Sequence, residues 1–405
     1  MERMSDTLEG VDEQALHHFL SNSAWDYRSL MDDIAINVSS QIGGSPSSCL
    51  IIDESAIPKK GKCSAGVSRQ YCGRLGKVDN CQVGVYSALC KGSDVSLIDS
   101  ELFLPETWAK DNKRYAKAKV PKDKRKFRTK IQIALEQVKR ARENGVEYSW
   151  VGADSFYGRD YNFATTLIKW GEQFVLDIPE NYWIFEEDPS PGLLPSKHTG
   201  RPGTRFYSDK KPITVKQWLK KQAPGDWKWR TFRDGTKGRM RCQALHKQVW
   251  VWDGIRKGKS GRAYCWHIIC RKEKDTGAIK MSISNAPKNT STKRLLYMQG
   301  QRHFVERAFQ DAKSELGMDE YQVRNWLAWH KHMSLVMLAA GFVLKEKERM
   351  RQEMPYITVA DIVIAYAMSI PSKQDTVEGV MEVLEKRQRK RQLAHENLYG
   401  AQVAT

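Results

Sequence analysis

The sequence predicts a mixed α/β fold: a sheet with flanking helices, interrupted by a mostly β insertion. Short apolar runs of strand type, two of them closed by an aspartate, crowd residues 49–180 and alternate with helical patterns in their later part. A tryptophan-rich stretch over 181–290 carries short alternating runs, and after it apolar residues recur at helical spacing. Strands joined first by hairpins and later by helical crossovers specify a sheet with both antiparallel and parallel pairs. At 405 residues the chain exceeds what one ordinary core needs, which predicts one large domain with an insertion, or two.

Residues 1–48 read as an N-terminal helical segment, accessory or DNA-binding, because Leu16, Phe19 and Leu20, then Ala24, Tyr27, Leu30 and Met31, fall near helical spacing. Ser45-Pro46 ends that pattern. The first part of the sheet-and-helix core spans 49–180. It opens with Cys49-Leu50-Ile51-Ile52-Asp53, a buried strand delivering Asp53 at its end. Residues 65–72 and 82–90 are the next strands, with Gly73, Gly76 and Asn80 turning between them, and 96–105 adds an extended segment. A basic helix over 123–144 shows Phe127, Ile131, Ala134, Leu135, Val138 and Ala141 on one face and stops at Gly145. Tyr148–Ala153 is a strand ending at Asp154; a helix near 160–170 and the strand 173–178 complete the block.

The insertion, 181–290, holds Trp183, Trp218, Trp227, Trp229, Trp250, Trp252 and Trp266, with strands at 248–252 and 263–270. It is expected to form a unit of its own outside the first sheet, reached through the proline-rich loop 189–202. The core's final helices occupy 291–345, with Val305, Ala308, Phe309, Ala312 and Leu316 on one face, and a basic helical region follows over 346–405.

Composition narrows the function. Lys plus Arg number 66 against 48 Asp plus Glu, a net charge of +18. Such an excess calls for a polyanionic partner, and nucleic acid is the first choice because each neutralised phosphate releases counterions. No apolar run reaches the roughly 18–20 residues that span a bilayer, which predicts no membrane partner. Cys63, Cys72, Cys81 and Cys90 recur every nine residues, without the short hooks of structural zinc sites, and read as thiols buried in strands. Cys265 and Cys270, with Cys242 and His246, have closer spacing, but a strand puts the first two on opposite faces.

The chemistry concentrates in acidic residues. Asp53 and Asp154 each follow an apolar strand, and a carboxylate there must be solvated, paired or metal-bound. Beside a basic surface, two such groups suggest a divalent-metal site for phosphate chemistry; the alternative is that each begins a loop or caps a helix. At roughly 100° per residue, Arg302, Glu306 and Lys313 fall within about 40° of one another on a helix, at the edge of its apolar stripe. One acid and two bases there could bind metal and grip phosphate, or Arg302 and Glu306 could form only a surface ion pair. Glu54 points away from Asp53 along a strand, in reach only of a supporting role. Lys59, Lys60 and Lys62 could touch DNA or be a solvated loop.

Five segments carry a family resemblance: HHFLSNSAWD (17–26), IIDESAIPKKGKCSAGVSRQYCG (51–73), NCQVGVYSA (80–88), VGADSFYG (151–158) and QRHFVERAFQDAKSELGMDEYQVR (301–324). Together they resemble the DDE transposases of bacterial insertion sequences, in particular the insertion-sequence 701-type branch, over about residues 15–345. In the last segment Arg302, Glu306 and Lys313 match the spacing of the signature Tyr-x2-Arg-x3-Glu-x6-Lys; Gln299 stands at the tyrosine's place and Tyr297 lies two residues early. The resemblance implies a ribonuclease H-like core. It implies Asp53, Asp154 and Glu306 as a catalytic, metal-binding triad for two Mg²⁺ ions, with Mn²⁺ as substitute, and Arg302 and Lys313 at the phosphates. Lys59, Lys60 and Tyr297 complete the DNA-contact candidates. The implied activity is DNA transposition: cleavage and joining of phosphodiester bonds at insertion-sequence ends by in-line displacement, the nucleophile being water or a DNA 3′-hydroxyl. Two alternatives remain, a metal-dependent endonuclease without strand transfer and an inactive or domesticated DNA-binding relative. The implied partners are double-stranded DNA, both transposon ends and target, and a second copy of the chain on that DNA; the implied location is the bacterial cytoplasm, at the nucleoid. Related proteins carry more helical sequence before the HHFLSNSAWD-like segment, so the chain is expected to start late or to recognise its ends by other surfaces.

Overall fold

The structure, a computed structural model, describes residues 2–193, 204–235, 238–255, 261–274, 276–321, 323–373 and 376–399. Ten strands form one sheet. Its organising strand is β1 (Ser48–Pro58), whose Cys49, Leu50, Ile51 and Ile52 are fully buried. A run that is apolar at every position, not alternating, is what a strand covered on both faces requires. β2 (Ser68–Cys72) and β4 (Asp94–Leu102) share one edge of the long strand β3 (Lys77–Lys91), and β1 lies antiparallel along the other. β5 (Val151–Ala153) runs parallel to β1, and β6 (Phe174–Asp177) parallel to β5. The order β4-β3-β1-β5-β6, with three antiparallel strands followed by two parallel ones, is the ribonuclease H-like sheet.

β1 is longer than the sequence pattern predicts. It continues five residues past Asp53 because its pairing with β3 persists to Pro58 opposite Cys81. On its other edge the pairing with β5 stops at Ile52 opposite Ala153, so Asp53 stands at a strand end on that side alone. The turn between β2 and β3 is made by Gly73–Gly76; Asn80 lies inside β3, where its amide donates to the carbonyls of Lys59 and Gly61.

Helices cover the sheet where their apolar faces predict. α1 (Glu13–Ser21) and α2 (Tyr27–Ile42) are capped by Asp12 and Asp26. The basic helix, α3 (Lys130–Glu143), begins later than its apolar pattern suggests, because Thr129 and Gln132 close a capping box there. Gly145, with φ +69°, ends it as expected. α4 (Ser155–Gly158) and α5 (Tyr161–Lys169) connect β5 to β6. α6 (Thr292–Gln301) and α7 (His303–Ser314) meet at Arg302, and α8 (Trp326–Met350), α9 (Val359–Ser369) and α10 (Val377–Tyr399) follow. By length and composition α8 could cross a membrane. Here it lies against β4 and buries Trp326, Trp329, Met333 and Met337 in the core, together with His330 and Lys331.

The insertion is not separate from the first sheet. β7 (Lys228–Gly235), β8 (Gly238–Val251), β9 (Tyr264–Glu273) and β10 (Ile279–Ser284) form an antiparallel ladder, and β10 pairs with β6, Ile283 opposite Leu176. The join was hidden because β10 turns serines inward. Ser282 and Ser284 are fully buried, and their hydroxyls donate to the Asp177 carboxylate and to the Phe174 carbonyl. Of the loop 189–202, residues 194–202 lie outside the described residues.

Candidate active site

Three neighbouring parallel strands each deliver an aspartate at one level. Ile52 is in register with Ala153, and Ala153 with Leu176; the next residue in each strand is Asp53, Asp154 and Asp177. In sheets of this kind, ligands bind beyond the carboxyl ends of the strands. Asp53 accepts the Glu54 N–H at 2.8 Å. Asp154 caps α4, its Oδ1 accepting the N–H groups of Phe156 (2.9 Å) and Tyr157 (3.4 Å). Gly158 ends that short helix against β6: a Cβ there would lie 1.9 Å from the carbonyl oxygen of Asp177, so only glycine allows the approach. Tyr157, buried beneath, has its phenol pushed up by burial and by Glu54, Asp53 and Asp154.

Arg302 binds this row to the helices. Its Nε lies 2.9 Å from Asp177 Oδ2, its Nη1 3.3 Å from Asp53 Oδ2 and its Nη2 2.9 Å from Glu306 Oε1. One guanidinium thus serves three carboxylates from β1, β6 and α7. Burial opposes its charge, but Asp177, Asp53 and Glu306 together raise its pKa. The acids remain under-compensated. Burial, partly offset by Arg302 and reinforced by Asp154, pushes Asp53 up to about 7. Burial likewise raises Asp177, against Arg302 and the Ser282 hydroxyl. Glu54, on the opposite face of β1, has its own partner, Lys130 Nζ at 2.5 Å.

The oxygen-only donor set suits Mg²⁺ or Mn²⁺, and a carboxyl raised by burial, as Asp53 is, favours a divalent cation beside it. Glu306 stands at the rim, half-exposed and held by Arg302. Among the described residues no three His, Cys, Asp or Glu side chains converge to hold one ion. Asp53, Asp154 and Glu306 thus form no three-carboxylate cluster in this arrangement, Glu306 being engaged by Arg302. The same holds for the zinc candidates: Cys242 and Cys270 are buried, and His246 is hydrogen-bonded to His267 and Thr292.

The remaining candidates scatter. Lys313 is half-buried, 5.8 Å from the Phe309 ring centre, and burial lowers its pKa. Lys59 donates to the Tyr321 carbonyl at 2.5 Å and lies over that ring, whereas Lys60 is exposed. Tyr297 donates to the Ser47 carbonyl (3.1 Å) and accepts the Gly92 N–H (3.3 Å). That places its phenol about six residues down β1 from Asp53, roughly 20 Å at strand rise. Asp177 was missed as a site residue, although its signal was present: a third apolar strand ending in aspartate. Also unforeseen was the cavity of about 780 Å³ that opens beside Arg302 and Glu306. The insertion walls it with Trp229, Arg233, Arg239, Arg241, Arg271 and Lys280, a strongly cationic lining.

Residues 1–239 match the family model described as DDE superfamily endonuclease. A probable transposase for insertion sequence element IS701, from Microchaete diplosiphon, is 27% identical over 324 residues, covering 78% of this chain and 70% of that protein. A solved structure of piggyBac transposase, in a synaptic complex with hairpin DNA, aligns with a TM-score of 0.41 at 13% identity. The alignment covers 84% of this chain but about half, 55%, of the piggyBac chain. The chain belongs to the DDE superfamily endonucleases.

Proposed function

We propose that this DDE superfamily member is a DNA transposase, cleaving and joining phosphodiester bonds at insertion-sequence ends. The observation that carries this is the alignment of Asp53 and Asp154 at the ends of adjacent parallel strands, with Glu306 one side chain away through Arg302. Asp53, Asp154 and Glu306 would hold two divalent ions, Mg²⁺ or Mn²⁺. When bound, the metal supplies Lewis-acid activation of the attacking oxygen, water or a DNA 3′-hydroxyl, and stabilises the departing one.

The chain's own residues do the rest. Asp53 sheds its proton to serve as a ligand, which burial makes difficult until a cation is near. Arg302, released from Asp53 and Glu306, presents Nη1 and Nη2 to the phosphate, a planar fork matched to its oxygens. The cationic wall of the adjoining cavity supports a DNA strand leading from the site. Lys313 and Lys60 extend the phosphate contacts. The +18 charge supplies sequence-independent attraction to DNA. Joining two ends implies two copies of the chain on the DNA, acting where the bacterial chromosome lies.

The experiment is cleavage of supercoiled plasmid carrying the element's flanking ends, with Mg²⁺, Mn²⁺ or EDTA, beside Glu306→Gln. Metal-dependent cuts at the ends that disappear in the variant are expected. Cuts without end joining would reduce the activity to an endonuclease; binding without cutting under any metal would leave a DNA-binding relative.

A further inference from the structure

Asp177 has no part in the proposed triad, yet it lies as close to Arg302 as Glu306 does, and closer than Asp53. It accepts Arg302 Nε at 2.9 Å and the Ser282 hydroxyl at 2.5 Å, and its backbone is pressed against Gly158. Ser282 is fully buried on β10, a strand that the insertion contributes. Asp177 is thus fixed from two sides, by α4 and by the insertion's ladder. The two other acids on Arg302 differ from it: Asp53 neighbours Asp154 at the strand ends, and Glu306 is half-exposed on a helix.

A divalent cation among Asp53, Asp154 and Glu306 cannot share those oxygens with a guanidinium; like charges in a poorly solvated place repel strongly. Arg302 must withdraw from two of its three partners, and the third decides where it goes. With Asp177 in place, Nε stays anchored and the side chain pivots, Nη1 and Nη2 turning from carboxylate to phosphate. Without it, Arg302 has only Asp53 and Glu306, and it becomes a direct competitor of the metal.

We propose that Asp177 is a positioning residue: it holds Arg302 by Nε so that the guanidinium yields Asp53 and Glu306 to metal while remaining at the site. The inference rests on the metal reading of Asp53, Asp154 and Glu306. Its chemistry is exchange of ligands only; no covalent bond changes.

The test is Mn²⁺ binding by calorimetry, in the absence of DNA, for the unaltered chain, Asp177→Asn, Arg302→Ala and the double variant. Asp177→Asn is expected to weaken Mn²⁺ binding about tenfold, in the range typical of residues that orient a metal's ligands. Arg302→Ala removes the competitor, so in that background Asp177→Asn should matter less than about threefold. Ser282→Ala, a milder loosening of the same anchor, should give a smaller loss with the same dependence on Arg302, and it covers the case in which Asp177→Asn fails to fold. Equal losses in both backgrounds, or none in either, would overturn the inference while leaving the metal site standing. If the unaltered chain shows no Mn²⁺ binding that Asp154→Asn removes, the metal reading falls and this inference with it.

Discussion

Two buried ionic clusters flank the sheet, and they balance charge in opposite ways. At β4, Asp99 lies 2.8 Å from both Arg28 and Arg140, and Glu101 lies 2.8 Å from Arg128. Burial opposes both charges, yet the facing groups win: Arg140 and Arg28 lower Asp99, while His330 and Arg128 lower Glu101. Around Arg302 the ratio is reversed, one guanidinium for the three carboxylates of Asp53, Asp177 and Glu306, and at the two strand-end acids burial wins: Asp53 and Asp177 are both raised. Asp53 and Asp177 resemble Asp99 and Glu101 in residue type, and all four are largely buried; they differ in how many cations face them, two arginines on Asp99 alone against one guanidinium shared by Asp53 and Asp177. Surplus cations close a cluster and make it scaffold. A deficit leaves a place for a positive group from outside, which is how perturbed carboxylates come to mark functional sites.

The sharpest way to break this contrast is at the scaffold. Asp99→Ala removes the partner shared by Arg28 and Arg140, leaving Arg28 only Asp32, and is expected to cost about 3–5 kcal/mol, read by denaturant unfolding. Because its folded pKa lies below the unfolded value, the stability Asp99 contributes is present above about pH 4 and lost as pH falls. A loss under about 1 kcal/mol would mean that the cluster is not a lock.

Asp53→Asn should do the reverse. The folded pKa of about 7 exceeds the unfolded value, near 4, so charging this carboxyl costs the metal-free chain stability as pH rises between them. In EDTA the variant is expected to melt higher than the unaltered chain above pH 7, by on the order of 2 °C or more, with the gain vanishing toward pH 4. Calorimetric scans across that range decide it, and a difference that does not change with pH refutes it. In excess Mg²⁺ the order should invert, since only the unaltered chain has the ligand.

The smallest effects separate two adjacent lysines. Lys60→Ala should lower the slope of log binding against log salt by about 1, leaving stability unchanged. Lys59→Ala, which loses a bond to the Tyr321 carbonyl, should instead cost about 1 kcal/mol of stability. Equal salt slopes for the two variants would erase the distinction.

The sequence made legible whatever depends on local pattern. The apolar run 49–52, the strand before Asp154 and the helical face of Val305, Phe309 and Ala312 suffice to place Asp53, Asp154 and Glu306 on their elements. What stayed hidden depends on contacts between distant segments. β10 escaped notice because its buried side chains include two serines, whose hydroxyls are satisfied only by β6. Asp177 ends an apolar strand as Asp154 does, but its contact becomes visible only once Arg302, 125 residues later, comes to rest beside it. Tyr297 drew attention by its place near a motif, while its hydroxyl is committed to Ser47 and Gly92. Lys59 and Lys60 are indistinguishable in sequence, and only the position of Tyr321 tells them apart.

The joining of β10 to β6 has a mechanical consequence. An insertion hung on a hinge could swing without disturbing the strand ends. This one is joined to them by a succession of paired strands, from β7 at the outer margin, with a bulge between Thr231 and Arg233, to the strand that carries Asp177. A force applied to the outer hairpin is therefore felt as torsion of the sheet at Asp177 and, through it, at Arg302. The insertion and the carboxylates are thus parts of one sheet.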